Sequence, residues 1–299
     1  MTPSPGVPSP HSLAASPAAA PAASSAPAPA STLDVRRPSP HVAEVWLDRP
    51  EVRNAFNDGV VAELTAAFRA LGAEPGLRAI VLGGRGKAFC AGADLSWMRA
   101  MAGYTWEQNR ADAAALAEML WTIWSCPVPV LGRIHGDCYA GGVGLAAVCD
   151  VLVAAEGVTF CLSEARLGLL PATIGPYVVR ALGEQAARRY FTTAERFDAA
   201  TAQRLGFVHE VAAADALDAK VDAIVAAWVG NGPAAVRACK QLVKDVAARP
   251  IDAALREDTA RRIADIRASA EGREGVQAFL NKREPSWRTS AASGDRAAE

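Results

Sequence analysis

Two stretches of small residues are places where this chain could do chemistry with its backbone. The first is residues 87–95, KAFCAGADL. Ala91, Gly92 and Ala93 leave their N–H groups uncovered, so a ligand can approach closely. Asp94 is placed to cap a following helix by accepting from its orphan N–H groups. The second stretch is residues 136–145, GDCYAGGVGL. It follows an apolar run and opens a helical pattern, where free donors and the positive end of the helix dipole favour an anion. It is neither the lysine-bearing phosphate loop nor the GxGxxG fingerprint. Taken alone, each stretch also reads as a tight turn or a glycine packing contact. Taken together, they can aim two N–H groups at one oxygen as it becomes negative. One such donor is worth roughly 100- to 1000-fold in rate.

The elements that must position these loops follow from periodicity. Residues 41–47 (HVAEVWL) read as a strand ended by Pro50. Asn57 can cap a helix to about Leu71, with Val60, Val61, Leu64, Ala67, Phe68 and Leu71 at helical spacing. Residues 78–82 form a short buried strand before a glycine-rich turn, and 87–95 read as a loop. A helix spans about 105–124, a buried strand 128–134, a helix 141–148, and strands 151–154 and 159–161. From there helical patterns dominate, at 174–182, 184–192, 198–205, 215–229, 233–247 and 251–268. Strands interleaved with helices predict a parallel sheet with crossovers. A doubly wound sheet fits that alternation as well as any other. No fixed repeat is visible.

A chain of 299 residues, 51% hydrophobic and 21% charged, supports one large core, with or without a small appendage. The formal net charge of -1 gives no basic excess for nucleic acid. Cysteines at 90, 126, 138, 149, 161 and 239 form no CxxC pair, and the few histidines are dispersed, so free thiols and no metal site are expected. That usage suits a reducing compartment. Residues 1–32 are almost all Ala, Pro and Ser, which predicts a disordered tail. The tail lacks the basic start and apolar run of a secretory signal and the arginines of a transit peptide. No apolar stretch approaches the ~20 residues of a membrane span. A cytoplasmic protein with no membrane or nucleic-acid partner is the expectation.

In order and spacing, KAFCAGADL, the Gly-Gly loop running into VCDVLVAA, and FCLSEARLGLLP resemble the enoyl-CoA hydratase/isomerase (crotonase) superfamily, over about residues 35–285. The resemblance implies an α/β spiral of ββα units, with tails at 1–32 and 291–299, a core at 33–230 and a C-terminal helical region at 231–290. It implies homotrimers, often paired into hexamers. The substrate would be an acyl-coenzyme A thioester, with coenzyme A part of that substrate and no separate cofactor. By motif position, the N–H groups of Ala93 and Gly141 would form an oxyanion hole. Arg53, Ala55, Ala91, Asp94, Leu95, Gly142 and Gly144 would line the substrate site, and Lys87 is either a phosphate contact or a solvated surface residue.

Family hydratases hold a water between two glutamates. Glu164, in the LSE motif, matches one place, and Gly144 stands at the other. With one carboxylate, Glu164 could guide water alone, or shuttle a proton between carbons as an isomerase does. Leu162, Leu167, Leu169 and Leu170 are expected to give it apolar surroundings that raise its pKa. The structural alternative for Glu164 is a cap or a salt bridge to Arg166. The stretch FCLSEARLGLLPATIGPYVVRALGEQAARRYFTTAERFDA is similar to that of bacterial hydratases of 3-methylglutaconyl-CoA, in leucine catabolism, or of a longer isoprenoid analogue. A distal carboxylate on such a substrate would need Arg99, Tyr104, Arg110 or Tyr139, each equally readable as a surface or packing residue. Asp137 is expected to be a local cap and His135 a packed loop histidine. Trp97, Trp106, Trp121 and Trp124 could line an acyl pocket or form packing contacts. Some superfamily members bind RNA or protein without catalysis, a reading that the balanced charge disfavours.

Overall fold

A computed structural model describes Met1 and residues 31–288. The tails expected at 1–32 and 291–299 lie outside the described residues, apart from Met1, Ser31 and Thr32. Those last two are fastened: the Glu63 carboxylate accepts from the Ser31 hydroxyl at 2.8 Å and the Thr32 N–H at 2.9 Å.

The chain opens with the antiparallel pair β1 (Leu33–Ser39) and β2 (Val42–Leu47), then α1 (Asp58–Ala73). Three strand pairs follow. β3 (Ala79–Gly84) and β4 (Ala88–Cys90) precede α2 (Leu95–Met101) and α3 (Trp106–Ser125). β5 (Val130–Ile134) and β6 (Asp137–Tyr139) precede α4 (Gly141–Ala147). β7 (Val151–Ala155) and β8 (Thr159–Cys161) precede α5 (Gly175–Leu182) and α6 (Glu184–Thr193). Then come β9 (Arg196–Asp198), α7 (Ala199–Arg204), β10 (Glu210–Ala212) and α8 (Leu217–Gly230). The chain ends in α9 (Pro233–Val246), α10 (Ala253–Ala268) and α11 (Ala270–Leu280).

Each pair sends its first strand to a six-stranded sheet, ordered β1-β2-β3-β5-β7-β10, and its second to a four-stranded sheet, ordered β4-β6-β8-β9. Successive turns stack in parallel, β3 on β5 on β7 in one sheet and β4 on β6 on β8 in the other. That is the ββα spiral, not a doubly wound sheet. Every residue of β3 is buried, as parallel strands covered on both faces require.

Local signals explain the helices. The Asn57 side chain accepts from the Val60 N–H at the start of α1, whose Val60, Val61, Leu64, Phe68 and Leu71 enter the core. Thr105 and Gln108 close a reciprocal capping box on α3. The strands β4, β6, β9 and β10 were not read from the sequence; each has only three residues, as has β8, which was read. The C-terminal helices are tied to the body by charged side chains. Lys240 of α9 donates to the Asp150 carboxylate and the Val128 carbonyl. Arg78 donates to the carbonyls of Val229 and Trp287, and Glu271 accepts from the N–H groups of Ala234 and Ala235 that open α9. No helix among the described residues is long and apolar enough to cross a membrane.

Candidate active site

The first small-residue loop is held by a short parallel ladder. Ala91 N–H donates to the Arg53 carbonyl at 3.0 Å, Phe56 N–H to Gly92 at 2.7 Å, and Asp94 N–H to Phe56 at 2.7 Å. Ala93 bridges Phe56 in this ladder. Its own N–H meets no acceptor among the described residues, because neighbouring N–H groups on an extended chain point opposite ways.

The 53–56 segment reaches this position through two left-handed residues, Arg53 at φ 54° and Asn54 at φ 55°. Asparagine tolerates that conformation better than most residues. The buried Asn54 amide holds three backbone groups at once. It accepts from Arg49 N–H at 2.9 Å and donates to the carbonyls of Arg85 and Ala88, each at 2.8 Å.

The second loop abuts the first through glycine. Gly92 has φ +92°, and a Cβ there would lie 2.9 Å from the Ala140 Cβ and 3.1 Å from the Tyr139 carbonyl. A Cβ on Gly141 would lie 2.9 Å from the Phe56 ring. Ala140, at φ 46°, is strained into the turn that starts α4, and its N–H donates to the Cys161 carbonyl at 2.7 Å. The Gly141 N–H, at the head of α4, likewise has no acceptor among the described residues. Two free donors therefore sit on abutting turns.

Arg53, Ala55, Ala91, Ala93, Asp94 and Leu95 line one cleft of about 420 Å³. Sequence reasoning placed all six in the site, and the fold brings them together. Asp94 contributes only its edge. Its carboxylate accepts from the Ser96 N–H and hydroxyl and pairs with Arg49 at 2.9 Å. The Ser96 hydroxyl foremost, with Arg49 beside it, holds that carboxyl below its ordinary pKa. Lys87 is exposed and does not border the cleft.

Gly142 and Gly144 do not border the cleft, and neither do Gly141 and Glu164. A Cβ on Gly142 would lie 2.5 Å from the Cys90 carbonyl, so this glycine serves contact between α4 and β4. A Cβ on Gly144 would overlap the branched side chain of Ile174, which is buried. The place at which family hydratases carry a second glutamate is thus closed by an isoleucine.

Glu164 opens a 3-10 turn, Glu164–Leu167, directly after β8. It is half-buried, and its Oε2 is buried with no hydrogen-bond partner. Burial pushes its carboxyl above the ordinary value of 4.5. Arg166 turns away and donates to the Ala194 carbonyl, so the salt bridge does not form. The N-cap of the turn is Ser163, whose side chain makes no cap bond, and the backbone group that bears on the Glu164 carboxyl is its own N–H. The expected apolar surround is only partly there. Leu162 is buried, but Leu167, Leu169 and Leu170 are 60%, 57% and 74% exposed, because the turn and Gly168, at φ +72°, carry them outward.

Other expectations change as well. Asp137 lies in β6 and is not a cap. It accepts from the Thr159 hydroxyl at 2.6 Å, which also meets the Tyr139 hydroxyl at 2.9 Å. His135 packs as a loop histidine, with Nε2 3.0 Å from the Gly86 carbonyl, and burial lowers its pKa. None of Arg99, Tyr104, Arg110 and Tyr139 borders the cleft. Of the tryptophans, Trp97 is buried and donates to Asp112 at 3.1 Å, Trp106 and Trp121 are exposed, and Trp124 packs beside Tyr177. Sequence reasoning missed Arg49, Asn54 and Ile174. Only the tolerance of asparagine for left-handed backbone hinted at any of them.

Comparison with known proteins gives the family. The enoyl-CoA hydratase/isomerase family model matches residues 38–290, and the chain belongs to that family. It is 33% identical over 266 residues to a mevalonyl-coenzyme A hydratase of Aspergillus fumigatus, covering 85% of this chain and 93% of that one. Among solved structures, an enoyl-CoA hydratase from Shewanella pealeana superposes with a TM-score of 0.83 at 39% identity, covering 86% and 96% of the two chains. Pseudomonas aeruginosa AtuE superposes with a TM-score of 0.82 at 37% identity, covering 86% and 99%.

Proposed function

We propose that this protein adds water to a 2-enoyl-coenzyme A thioester, with 3-methylglutaconyl-CoA or a related branched or isoprenoid acyl chain as substrate. The observation that carries the reading is the buried, unpartnered Oε2 of Glu164, a carboxyl with a raised pKa in a chain that also offers two free, abutting backbone donors. The thioester oxygen accepts from Ala93 and Gly141 as the enolate forms. Glu164 takes a proton as the oxygen of water bonds to C3, then returns a proton to C2. The coenzyme A moiety lies along the cleft lined by Arg53, Ala55, Ala91 and Leu95. The mevalonyl-coenzyme A relative supports a short branched acyl chain, as does the FCLSEARLGLLP stretch. The assembly is a homotrimer or hexamer. The exposed Leu167, Leu169 and Leu170 suit burial against a neighbour, and light scattering gives the mass.

The test is to incubate the protein with 3-methylglutaconyl-CoA and follow the thioester by mass spectrometry. A gain of one water, lost in Glu164→Gln, is the expected result. A second reading, an enoyl-CoA isomerase using Glu164 alone, is favoured by the closure of position 144 by Ile174. It predicts migration of the double bond in a 3-enoyl-CoA with no change in mass, and is lost if water is gained instead.

A further inference from the structure

A second cavity among the described residues shares no lining residue with the cleft. It has a volume of about 820 Å³, within the range of small-molecule sites, and sits where α9 passes the six-stranded sheet. A smaller cavity of about 300 Å³ adjoins it and shares Trp124, Asp150 and Arg180 with it. Pro129 and Val151 place the pair at the N-terminal ends of β5 and β7. The loop carrying Gly141 follows the far end of β5 by way of β6, and the loop carrying Ala93 follows β4.

The lining joins flat aromatic surface to positive charge. Trp124 and Trp228 border the cavity, the Trp124 ring also packing beside Trp121 and Tyr177. Arg180, Lys240 and Lys244 supply three cations against the single carboxylate of Asp150, and Lys240 already takes that carboxylate. Arg180 and Lys244 have no carboxylate within ion-pair distance among the described residues. Lys244 instead stands 4.7 Å above the Trp124 ring. Burial, and then the nearby Lys240 charge, lower its pKa, the condition that an anion in the cavity would relieve.

We propose that this cavity is a second binding site, for a planar aromatic anion. The ring stacks on the indoles of Trp124 and Trp228, and the phosphate or carboxylate is held between Arg180 and Lys244. Neither the proposed hydration nor the isomerisation uses any of these side chains.

Cys239 lines the same cavity, and it is exposed, whereas the other cysteines are buried or half-buried. It therefore reports occupancy in place, and peptide mass mapping identifies it. The experiment measures the rate at which a maleimide labels Cys239 in the full-length protein. Adenosine monophosphate and 2-naphthoate are titrated in, with adenosine and 2-naphthol as their neutral counterparts. The expected result is saturable protection by at least one anion, with its neutral counterpart weaker by roughly five-fold or more. The same loss is expected in Arg180→Gln and Lys244→Gln, each checked for an unchanged melting temperature. Protection by the nucleotide alone identifies a phosphate-bearing ligand, and protection by naphthoate alone an aromatic acid. Three results overturn the proposal: no protection by either anion, equal protection by the neutral compounds, or a Cys239 that is unreactive before any ligand is added. The last would mean that protein already covers the cavity.

Discussion

In the proposed reaction the two glycine loops and the Glu164 turn serve one site, and they are built by opposite means. The loops are made of backbone. They are fixed by the Arg53–Phe56 ladder, by the Asn54 amide and by glycines that leave no room for a side chain. Glu164 is one side chain at the head of a short turn, with an unpartnered oxygen and outward-facing leucines close behind it. Backbone donors are set by topology and change only if the fold changes. A lone carboxylate is tuned by what surrounds it, and part of that surround is exposed in the single chain.

The contrast can be broken most sharply at Glu164. Glu164→Gln is expected to lower kcat by about 100- to 10,000-fold, read in steady-state kinetics on the enoyl-CoA substrate. It should do so without loss of stability. A carboxyl whose pKa is raised on folding favours the folded state fully below 4.5, and that contribution is lost as pH rises through the raised value. Near neutral pH the folded wild type therefore bears a burial cost that the amide removes, and thermal melts should place the variant at or above wild type. The acid limb of kcat/KM should have its midpoint above 4.5, since the base must be ionised. A limb at or below that value would show that Glu164 is not the base.

The loops should respond in the other way, losing rate and stability together. Gly92→Ala puts a Cβ at φ +92° and 2.9 Å from Ala140, so the two loops must part. A fall of about 100- to 1000-fold in kcat is expected, together with a lower melting temperature. A change in rate with no change in melting would mean that the loops are less rigid than their contacts indicate. Gly144→Ala should act on stability first, by about 1–3 kcal/mol in denaturant midpoints, through overpacking against Ile174. The smallest effect is at the exposed leucines. Leu170→Ser should change the stability of the isolated chain by less than about 0.5 kcal/mol. A drop in oligomer mass in that variant would show that a neighbour covers the turn.

What the sequence made legible follows the same division. The two glycine loops, the Asn57 cap and the long helices carry signals confined to a few adjacent residues and could be read directly, whereas Glu164 was singled out by the motif resemblance. The spiral came from the motif resemblance and not from periodicity, because β4 and β6 are three residues each and their pairing partners lie a whole turn of the chain away. Arg49, Asn54 and Ile174 act through contacts made only after folding, with Asp94, with the Arg85 and Ala88 carbonyls, and with Gly144. The leucines after Glu164 misled for the complementary reason. Their composition is apolar, but the direction of a turn, set by Gly168, decides which way they face.

The contact between Ile174 and Gly144 also bears on how this site can evolve. A glutamate at 144 meets Ile174, while a smaller residue at 174 with glycine still at 144 leaves an empty space in the core. Each single step is harmful although the double change restores a filled volume, so the two positions are locked in sign epistasis. A lineage that carries this pair is held to a small residue at 144 by packing alone, whatever substrate selection favours.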